Sequence, residues 1–469
     1  MSARSYTDSI SDLNSLQSNA ATINALRASG KMNQNAIGEM RDWVAKAGVA
    51  QSDIDELKVI HIAGTKGKGS TAAMVASILS NYRLAYGKTP RIGLYTSPHL
   101  KSVRERIQID GEPLPKEEWT EYFYDVWDTL DKHGSAKPVY FRFLTILAFH
   151  AFRQECVDVV VLECGVGGEH DSTNIISEPV VSGITSLGID HVHVLGRTIE
   201  EIAWHKAGIF KKDCPAFTVE QGEKAMDVLR TRAQAIGVSS FEVIPVTPAL
   251  SSVKLGLNGD FQRSNASLAI ALANEYLKTQ GVDENLSVRL PEEFITGLEQ
   301  VKWPGRCERR QIDNVEWCLD GGHTSESLAL TGEWYGSIPE SVNRHYLIFN
   351  QQSRDSTALL QDLHDSLPNH SEFRKVIFCT NKTYQVSGYS SELTSINNAS
   401  DAVDALDVQR ALARKWHDMT DQEAIVVTSI EEALNVVRDD CGRHASRCLV
   451  TGSLHLVGGV MTVLDDKQT

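Results

Sequence analysis

Short apolar runs rich in valine and isoleucine recur along the first part of the chain, at 59–64 (VIHIAG), 91–95 (RIGLY), 157–163 (VDVVVLE) and 180–187 (VVSGITSL), with helix-like stretches between them. That alternation predicts an α/β fold with a parallel sheet and crossover helices. A second series, YLIFN (346–350), KVIFCT (375–380), AIVVT (424–428) and CLVTG (448–452), repeats the pattern after a break at Trp303-Pro304-Gly305. The break places a domain boundary near residue 304, giving a larger domain over 1–303 and a smaller one over 304–469. Residues 10–50 read as amphipathic helices, and 100–145 as a mixed segment with several aromatics. Neither an internal repeat nor a low-complexity tract interrupts the pattern.

With 469 residues, 42% hydrophobic and 23% charged, the chain is long enough for two cores of ordinary size. A formal net charge of −15 argues against a nucleic-acid groove or an anionic membrane surface, because the field of the whole molecule repels polyanions. An anionic substrate must therefore meet locally placed Lys or Arg. The eight cysteines show no C-x-x-C spacing and lie mostly in apolar stretches, which fits reduced, buried thiols. No apolar run reaches membrane-spanning length, and the start MSARSYTDSISDLN lacks an apolar leader core and carries Asp8 and Asp12. A soluble cytoplasmic protein is expected, with no mitochondrial transit peptide visible in this sequence; a mitochondrial form from an alternative upstream start stays open.

The strongest local signal is HIAGTKGKGSTAAMVASIL, where a buried-type strand runs into Gly64-Thr65-Lys66-Gly67-Lys68-Gly69-Ser70-Thr71 and then an apolar helix. Glycines let the backbone curl so that its N–H groups point inward, the helix N-terminus adds positive potential, and Lys68 can neutralise β/γ oxygens of a nucleotide. Gly69 separates Lys68 from Ser70, so the strict G-x-x-x-x-G-K-[ST] pattern is not met. The alternative, a tight glycine-rich turn, accounts less well for the strand before and the helix after.

VDVVVLE ends in Glu163 and is followed by Cys164-Gly165-Val166-Gly167-Gly168. This puts a carboxylate at the carboxyl edge of a parallel sheet, where open α/β sheets build their sites, and supplies the hard oxygen that Mg²⁺ prefers. A strand-end Glu is otherwise simply solvated, so the assignment leans on its neighbours. Asp171 and Asn174 serve either as turn residues or as groups behind the ligands. After VVSGITSLG, His191 is a candidate metal ligand because its strand is expected to neighbour the one ending in Glu163, whereas His193 is read as structural. In IAWHKAGIFK, Lys206 and Lys211 lie in a helix and its exit, and two readings stay open: solvated lysines, or a lysine facing the metal. A bare ammonium beside Mg²⁺ repels it, while a lysine that has captured CO₂ as a carbamate carries negative oxygen ligands.

The ordered series GTKGKGS, TSPHL, YFRFLT, ECGVGG, LGIDH, HKAGIFK, WPGR, LDGGHT and TGSLHLVGG resembles the folylpolyglutamate synthases of the Mur ligase superfamily. The resemblance spans nearly the whole chain, and DLNSLQSNAATINALR resembles the eukaryotic enzymes. It implies a larger P-loop ATPase-like domain with a mainly parallel sheet and a smaller Rossmann-like C-terminal domain, with ATP and Mg²⁺ between them. Carried onto matching positions, it makes Gly64, Thr65, Lys66, Gly67 and Lys68, with Gly69 and Ser70 following, the ATP phosphate loop. It makes Ser97, Glu163 and His191 the magnesium ligands and Lys206 a carbamylated lysine. Arg306 and Asp320 become nucleotide contacts, and His323 a contact to phosphate or glutamate. Ser97, His99, Tyr140 and Phe141 border the folate.

Three positions depart from the family pattern: Phe261 stands before Gln262 where His is usual, Gly322 replaces Ala, and His205 precedes Lys206 where Glu or Gln is frequent. The tail TGSLHLVGGV reads as a structural strand and turn rather than a second phosphate loop. Tyr140, Phe141 and Phe143 are core packing by default, with contact to a pteridine or benzoyl ring as the alternative.

The implied chemistry is ATP-dependent addition of L-glutamate to the γ-carboxylate of reduced folates. ATP converts that carboxylate into an acyl phosphate, the amine of glutamate attacks, and ADP and phosphate leave. Domain closure is expected to exclude water. The substrates are small molecules, and a monomer is expected. The nearest rival is a dihydrofolate synthase running the same reaction on dihydropteroate; a cell-wall Mur ligase lacks room upstream of residue 59 for its extra domain. An idle nucleotide-binding module is disfavoured by Lys68, Glu163, His191 and Lys206 standing together.

Overall fold

The computed structural model describes residues 4–17, 34–84, 87–282, 286, 289–352, 355–367, 372–386, 391–393 and 406–466. It falls into two units. The first comprises Met1–Pro98, Arg104–Gly256 and Asp260–Trp303; the second comprises Pro304–Thr469 together with His99–Val103 and Leu257–Gly259.

Among the described residues of the first unit, eight strands form one sheet: β1 (Val59–Ala63), β2 (Ile92–Tyr95), β3 (Ile107–Ile109), β4 (Glu112–Pro113), β5 (Val159–Glu163), β6 (Val181–Ile184), β7 (Ala216–Val219) and β8 (Phe241–Ile244), in the order β4-β3-β2-β5-β1-β6-β7-β8. β2, β5, β1, β6, β7 and β8 run parallel, and only β3 runs against them, with β4 pairing antiparallel to β3. The Val/Ile runs form the middle of this sheet because every residue of β1, β2, β5 and β6 is buried, which only helices on both faces permit. Val59, Ile60 and Ile62 are fully buried, and each contributes about 1.5–3 kcal/mol on transfer from water.

The helix Lys68–Asn81 follows β1 and packs against Gln262–Thr279 and Glu292–Gln300. The contact to the last helix is close: Ser77 Oγ donates to the Gly297 carbonyl at 2.7 Å. The helix Ile199–Lys206 starts at a reciprocal cap, in which the Thr198 hydroxyl accepts from the Glu201 N–H and the Glu201 carboxylate accepts from the Thr198 N–H. Within 100–145 lie the β3–β4 hairpin, the helix Lys116–Asp131 and the start of the helix Tyr140–Gln154. Of 10–50, the helices Tyr6–Ser15 and Ala36–Lys46 are described, and 18–33 lies outside the described residues.

In the second unit, β9 (Glu308–Ile312), β10 (Val315–Leu319), β11 (His345–Phe349), β12 (Lys375–Phe378), β13 (Ile425–Val426) and β14 (Ser446–Thr451) form a sheet ordered β13-β12-β11-β14-β10-β9. It is parallel except for β9. β14, buried along its whole length, carries Arg447, whose Nε donates to Glu316 Oε2 on β10 at 2.6 Å and whose Nη2 donates to the Pro339 carbonyl at 3.0 Å. A buried guanidinium is tolerated here because it is both ion-paired and hydrogen-bonded.

The tail departs from the strand-and-turn expectation. β14 ends at Thr451, and Leu454–Asp466 is a helix with Gly458 and Gly459 in its interior. A side chain at Gly458 would overlap the Leu100 carbonyl, and one at Gly459 would meet Ile430, so these glycines serve close helix packing. All eight cysteines are free, and seven are buried. Among the described residues no helix is long and apolar enough to cross a membrane.

Candidate active site

β1 lies between β5 and β6, so the strand before His191 does not adjoin the one ending in Glu163, contrary to the sequence expectation, but the segments leaving all three strands meet at one edge of the first sheet. The glycine loop leaves β1 with Gly64 at φ +149° and Gly67 at φ +86°, conformations that side chains oppose. Space forbids them as well: a Cβ at Gly64 would strike the Thr185 hydroxyl, and one at Gly67 the Asn265 amide. The loop is pinned to the segment after β6. The N–H groups of Thr65 and Lys66 donate to the Ser186 carbonyl at 2.9 and 3.1 Å, the Thr65 hydroxyl donates to the Gly188 carbonyl at 3.1 Å, and Lys66 Nζ lies 3.5 Å from Asp190. Gly67 caps the helix Lys68–Asn81, whose first N–H groups, at Lys68, Gly69 and Ser70, have no partner inside the helix and favour an anion.

Glu163 ends β5 as a buried carboxylate. Lys68 Nζ stands 3.9 Å from its Oε1, and the Ser97 N–H donates to its Oε2 at 3.1 Å. The structure thus brings Lys68, Ser97 and Glu163 together. His191 is exposed, in the left-handed conformation at φ +51°, and leads the short helix Val192–Leu195; Asp190 beside it is the partner of Lys66. His193 is also exposed.

Lys206 ends its helix 3% exposed, with Nζ donating to the Gly64 carbonyl at 2.7 Å. Burial first, and the Lys68 ammonium second, push its pKa down to about 7, against the pull of Cys164, Asp190 and Asp171. The neutral amine is therefore a substantial form near neutrality. Lys211 is also lowered, by burial and Arg41, and its Nζ donates to the Asn174 carbonyl at 3.4 Å.

Behind the loop after β5, Asp171 accepts from the Val166 N–H at 2.9 Å and from the Thr173 N–H and hydroxyl at 3.0 and 2.7 Å, while Asn174 donates to the Glu169 and Gly208 carbonyls. These two residues hold the loop's shape. Phe141 lies against Gly165, where a Cβ would overlap its ring, and stands 6.0 Å from the Tyr95 ring. Tyr140 is half-buried under the Arg106 guanidinium at 5.6 Å, and Phe143 is core. The three aromatics open a helix, so Phe141, two residues before Phe143, points away from the face that buries Phe143, while Tyr140, three before it, starts that same face at the helix end.

Several residues around the loop escaped sequence reasoning. Asn265 faces Gly67 and donates to Gln262 Oε1 at 2.8 Å, and buried Gln262 lies 3.5 Å from the Ser70 hydroxyl. Trp303 Nε1 covers Gly69. All three come from more than 190 residues downstream, where no local pattern marks them; the family departure at Phe261 falls one residue before this contact.

In the second unit, His99 Nε2 lies 2.9 Å from the Glu392 carbonyl, and half-buried Arg306 lies beside Gly321. His323 Nδ1 lies 2.9 Å from the Gly321 carbonyl, just before the Thr324–Ser327 cap of the helix Ser325–Ser337. A Cβ at Gly322 would crowd the Thr331 hydroxyl, Asp320 and the Ser327 carbonyl. Buried Asp320 accepts from the Cys307 N–H at 2.8 Å, the Gly322 N–H at 2.9 Å and the Thr331 hydroxyl at 2.7 Å. Asp320→Ala strands three buried donors, each costing about 1–3 kcal/mol. The expected result is a marked fall in thermal stability; a melting temperature equal to the parent's would show that these bonds contribute nothing net.

The second unit matches a sequence family described as dihydrofolate synthetase, C-terminal domain, over residues 306–463. The described fold is similar to the apo form of L. casei FPGS, with a TM-score of 0.73 at 25% identity over 98% of this chain and 100% of that one. It is also similar to Mycobacterium tuberculosis folylpolyglutamate synthase complexed with ADP and AMPPCP, with a TM-score of 0.70 at 25% identity over 92% and 95%. In sequence, the chain is 46% identical to the folylpolyglutamate synthase of Saccharomyces cerevisiae (strain AWRI796), across 99% of its own length and 88% of that protein. A likeness of that strength running end to end, on a glycine loop facing a buried strand-end carboxylate, means that the chain belongs to the folylpolyglutamate synthase family.

Proposed function

We propose that this chain uses ATP to add L-glutamate to the γ-carboxylate of reduced folates and folyl-polyglutamates through an acyl phosphate, releasing ADP and phosphate. The observation that carries the reading is the convergence of Lys68 and the Ser97 N–H on the buried Glu163 carboxylate, in a chain of this family. A carboxylate is a poor electrophile until one oxygen is phosphorylated. Lys68 and the helix N-terminus neutralise the β/γ oxygens as the γ-phosphoryl group moves to the folate carboxylate and ADP departs. The neutral amine of glutamate then attacks the acyl carbon; the tetrahedral adduct expels phosphate, the amine proton is lost, and the amide remains.

The donor set at Glu163 fits a magnesium ion: a buried carboxylate oxygen and the Ser97 hydroxyl are hard ligands, and His191 is the third candidate. When bound, the ion supplies further neutralisation of phosphate oxygens. Glu163→Gln is expected to lower the rate and raise the Mg²⁺ concentration needed for half-maximal turnover by about ten- to 100-fold. An unchanged magnesium titration would make Glu163 a purely structural carboxylate.

Lys206 is assigned as a carbamate lysine: its neutral amine attacks CO₂, an N–C bond forms, one proton leaves, and the site gains a negative group near Lys68. Tyr140, Phe141 and His99 are assigned to folate. In the second unit, Arg306 is assigned to the nucleotide and His323 to phosphate or glutamate. Asp320, with its oxygens engaged by Cys307, Gly322 and Thr331, acts by holding the backbone around Arg306. The proposed working unit is a monomer.

The family match over 306–463 favours one second reading, glutamate addition to dihydropteroate. Incubation with ATP, Mg²⁺, L-glutamate and either tetrahydrofolate or dihydropteroate, followed by mass analysis, separates the two. Glutamylated tetrahydrofolate is expected. Product from dihydropteroate alone would replace the first reading by the second, and no product from either would refute both.

A further inference from the structure

Glu169, His170 and His205 form a group of metal-ligating side chains that includes none of the residues assigned to magnesium. Glu169 and His170 follow the glycines after β5, and His205 is the penultimate residue of the helix Ile199–Lys206. One ligand atom from each lies within 4.8 Å of the other two. The backbone holds them there, since the Glu169 N–H donates to the His205 carbonyl at 2.7 Å.

The carboxylate of Glu169 is divided. Oε1 accepts from Arg232 Nη2 at 3.2 Å, and that guanidinium is itself fixed over the Trp204 ring at 4.1 Å. Oε2 is directed at His205 Nδ1 from 3.9 Å, too far for a hydrogen bond. His205 Nδ1 is buried and has no hydrogen-bond partner. Buried polar atoms are rarely left so, and a buried ring nitrogen facing a carboxylate oxygen whose twin is anchored by an outer partner is an arrangement that a divalent ion completes.

We propose that Glu169, His170 and His205 bind Zn²⁺, with a fourth position open to water. Two imidazole nitrogens and one carboxylate oxygen suit zinc, whereas magnesium demands a mostly oxygen shell. Tetrahedral coordination at about 2.0–2.2 Å draws the three atoms closer than they now stand, through rotation of half-buried side chains. The bound ion ties the loop after β5 to the helix end that carries Lys206.

Titration of the metal-free full chain with Zn²⁺ against a chromophoric chelator is expected to show one site with Kd of about 1 μM or tighter, undisturbed by millimolar Mg²⁺. His170→Ala and His205→Gln should each weaken it more than about 100-fold, beyond what loss of an outer partner costs, and abolish the zinc-dependent rise in Tm. Glu169→Gln replaces either variant if its circular dichroism shows misfolding. Zinc binding retained in a folded variant, displacement by Mg²⁺, or no binding tighter than about 10 μM overturns the proposal.

Discussion

Lys68→Ala is expected to abolish glutamate ligation while leaving the first unit folded. Lys68 is the first residue of the helix Lys68–Asn81, where a positive charge opposes the helix dipole and alanine is the better helix former. Its side chain is partly exposed, and its ion pair with Glu163, at 3.9 Å, is long, so little stability depends on it. A lysine kept where helix energetics disfavour it has another use, and the buried carboxylate at its tip indicates which. Without the ammonium, the transferring phosphoryl group loses its fixed cation, a loss of about 10²–10³-fold or more in kcat. Melting temperature within a few degrees of the parent and turnover below a hundredth of it are the expected pair of results. Near-normal turnover at saturating ATP would remove the loop from the catalytic machinery.

The middle of the first sheet was legible because buried parallel strands are written as unbroken Val/Ile runs: β1, β2, β5 and β6 coincide with four such runs, and β11, β12, β13 and β14 with four more. The β3–β4 hairpin, β7, β8 and the β9–β10 hairpin carry shorter or more polar stretches, and EPLP, FEVI and ERRQI do not announce strands on their own. The glycine loop could be read locally because every constraint on it, a strand before and a helix after, lies within twenty residues. Its walls could not. Thr185, Asn265 and Trp303 set the space over Gly64, Gly67 and Gly69 from distant elements, and nothing in NGDFQRSN signals that an amide will meet a glycine. The tail misled for a related reason, since Gly458 and Gly459 are spaced by what packs on a helix, not by a turn. Strand-end residues such as Glu163 fall between: the strand was visible, but the burial that distinguishes a site carboxylate from a solvated one emerges only once β1, β5 and the segment at Ser97 assemble.

Lys206→Ala is expected to be nearly inactive, and the nature of the loss distinguishes a carbamate from a buried ammonium. The side chain lies almost wholly out of water, and its Nζ has the Gly64 carbonyl as acceptor and Lys68 as a repelling neighbour. Burial pushes the amine down to about 7, so an appreciable fraction is neutral at physiological pH and able to attack CO₂. A carbamate there would replace a cation by an anion and turn repulsion from Lys68 into attraction. Two substitutions separate the possibilities. Lys206→Arg keeps a positive charge but cannot capture CO₂, and should be as inactive as Lys206→Ala. A short carboxylic acid added to Lys206→Ala should restore part of the rate by placing a carboxylate in the vacated space, and should do nothing for the arginine variant, where that space is filled. With ¹³C-labelled bicarbonate, the parent should show a carbamate carbonyl resonance that both variants lack. Full activity in either variant, or a parent with no such resonance under turnover conditions, would leave Lys206 as a buried amine that braces Gly64.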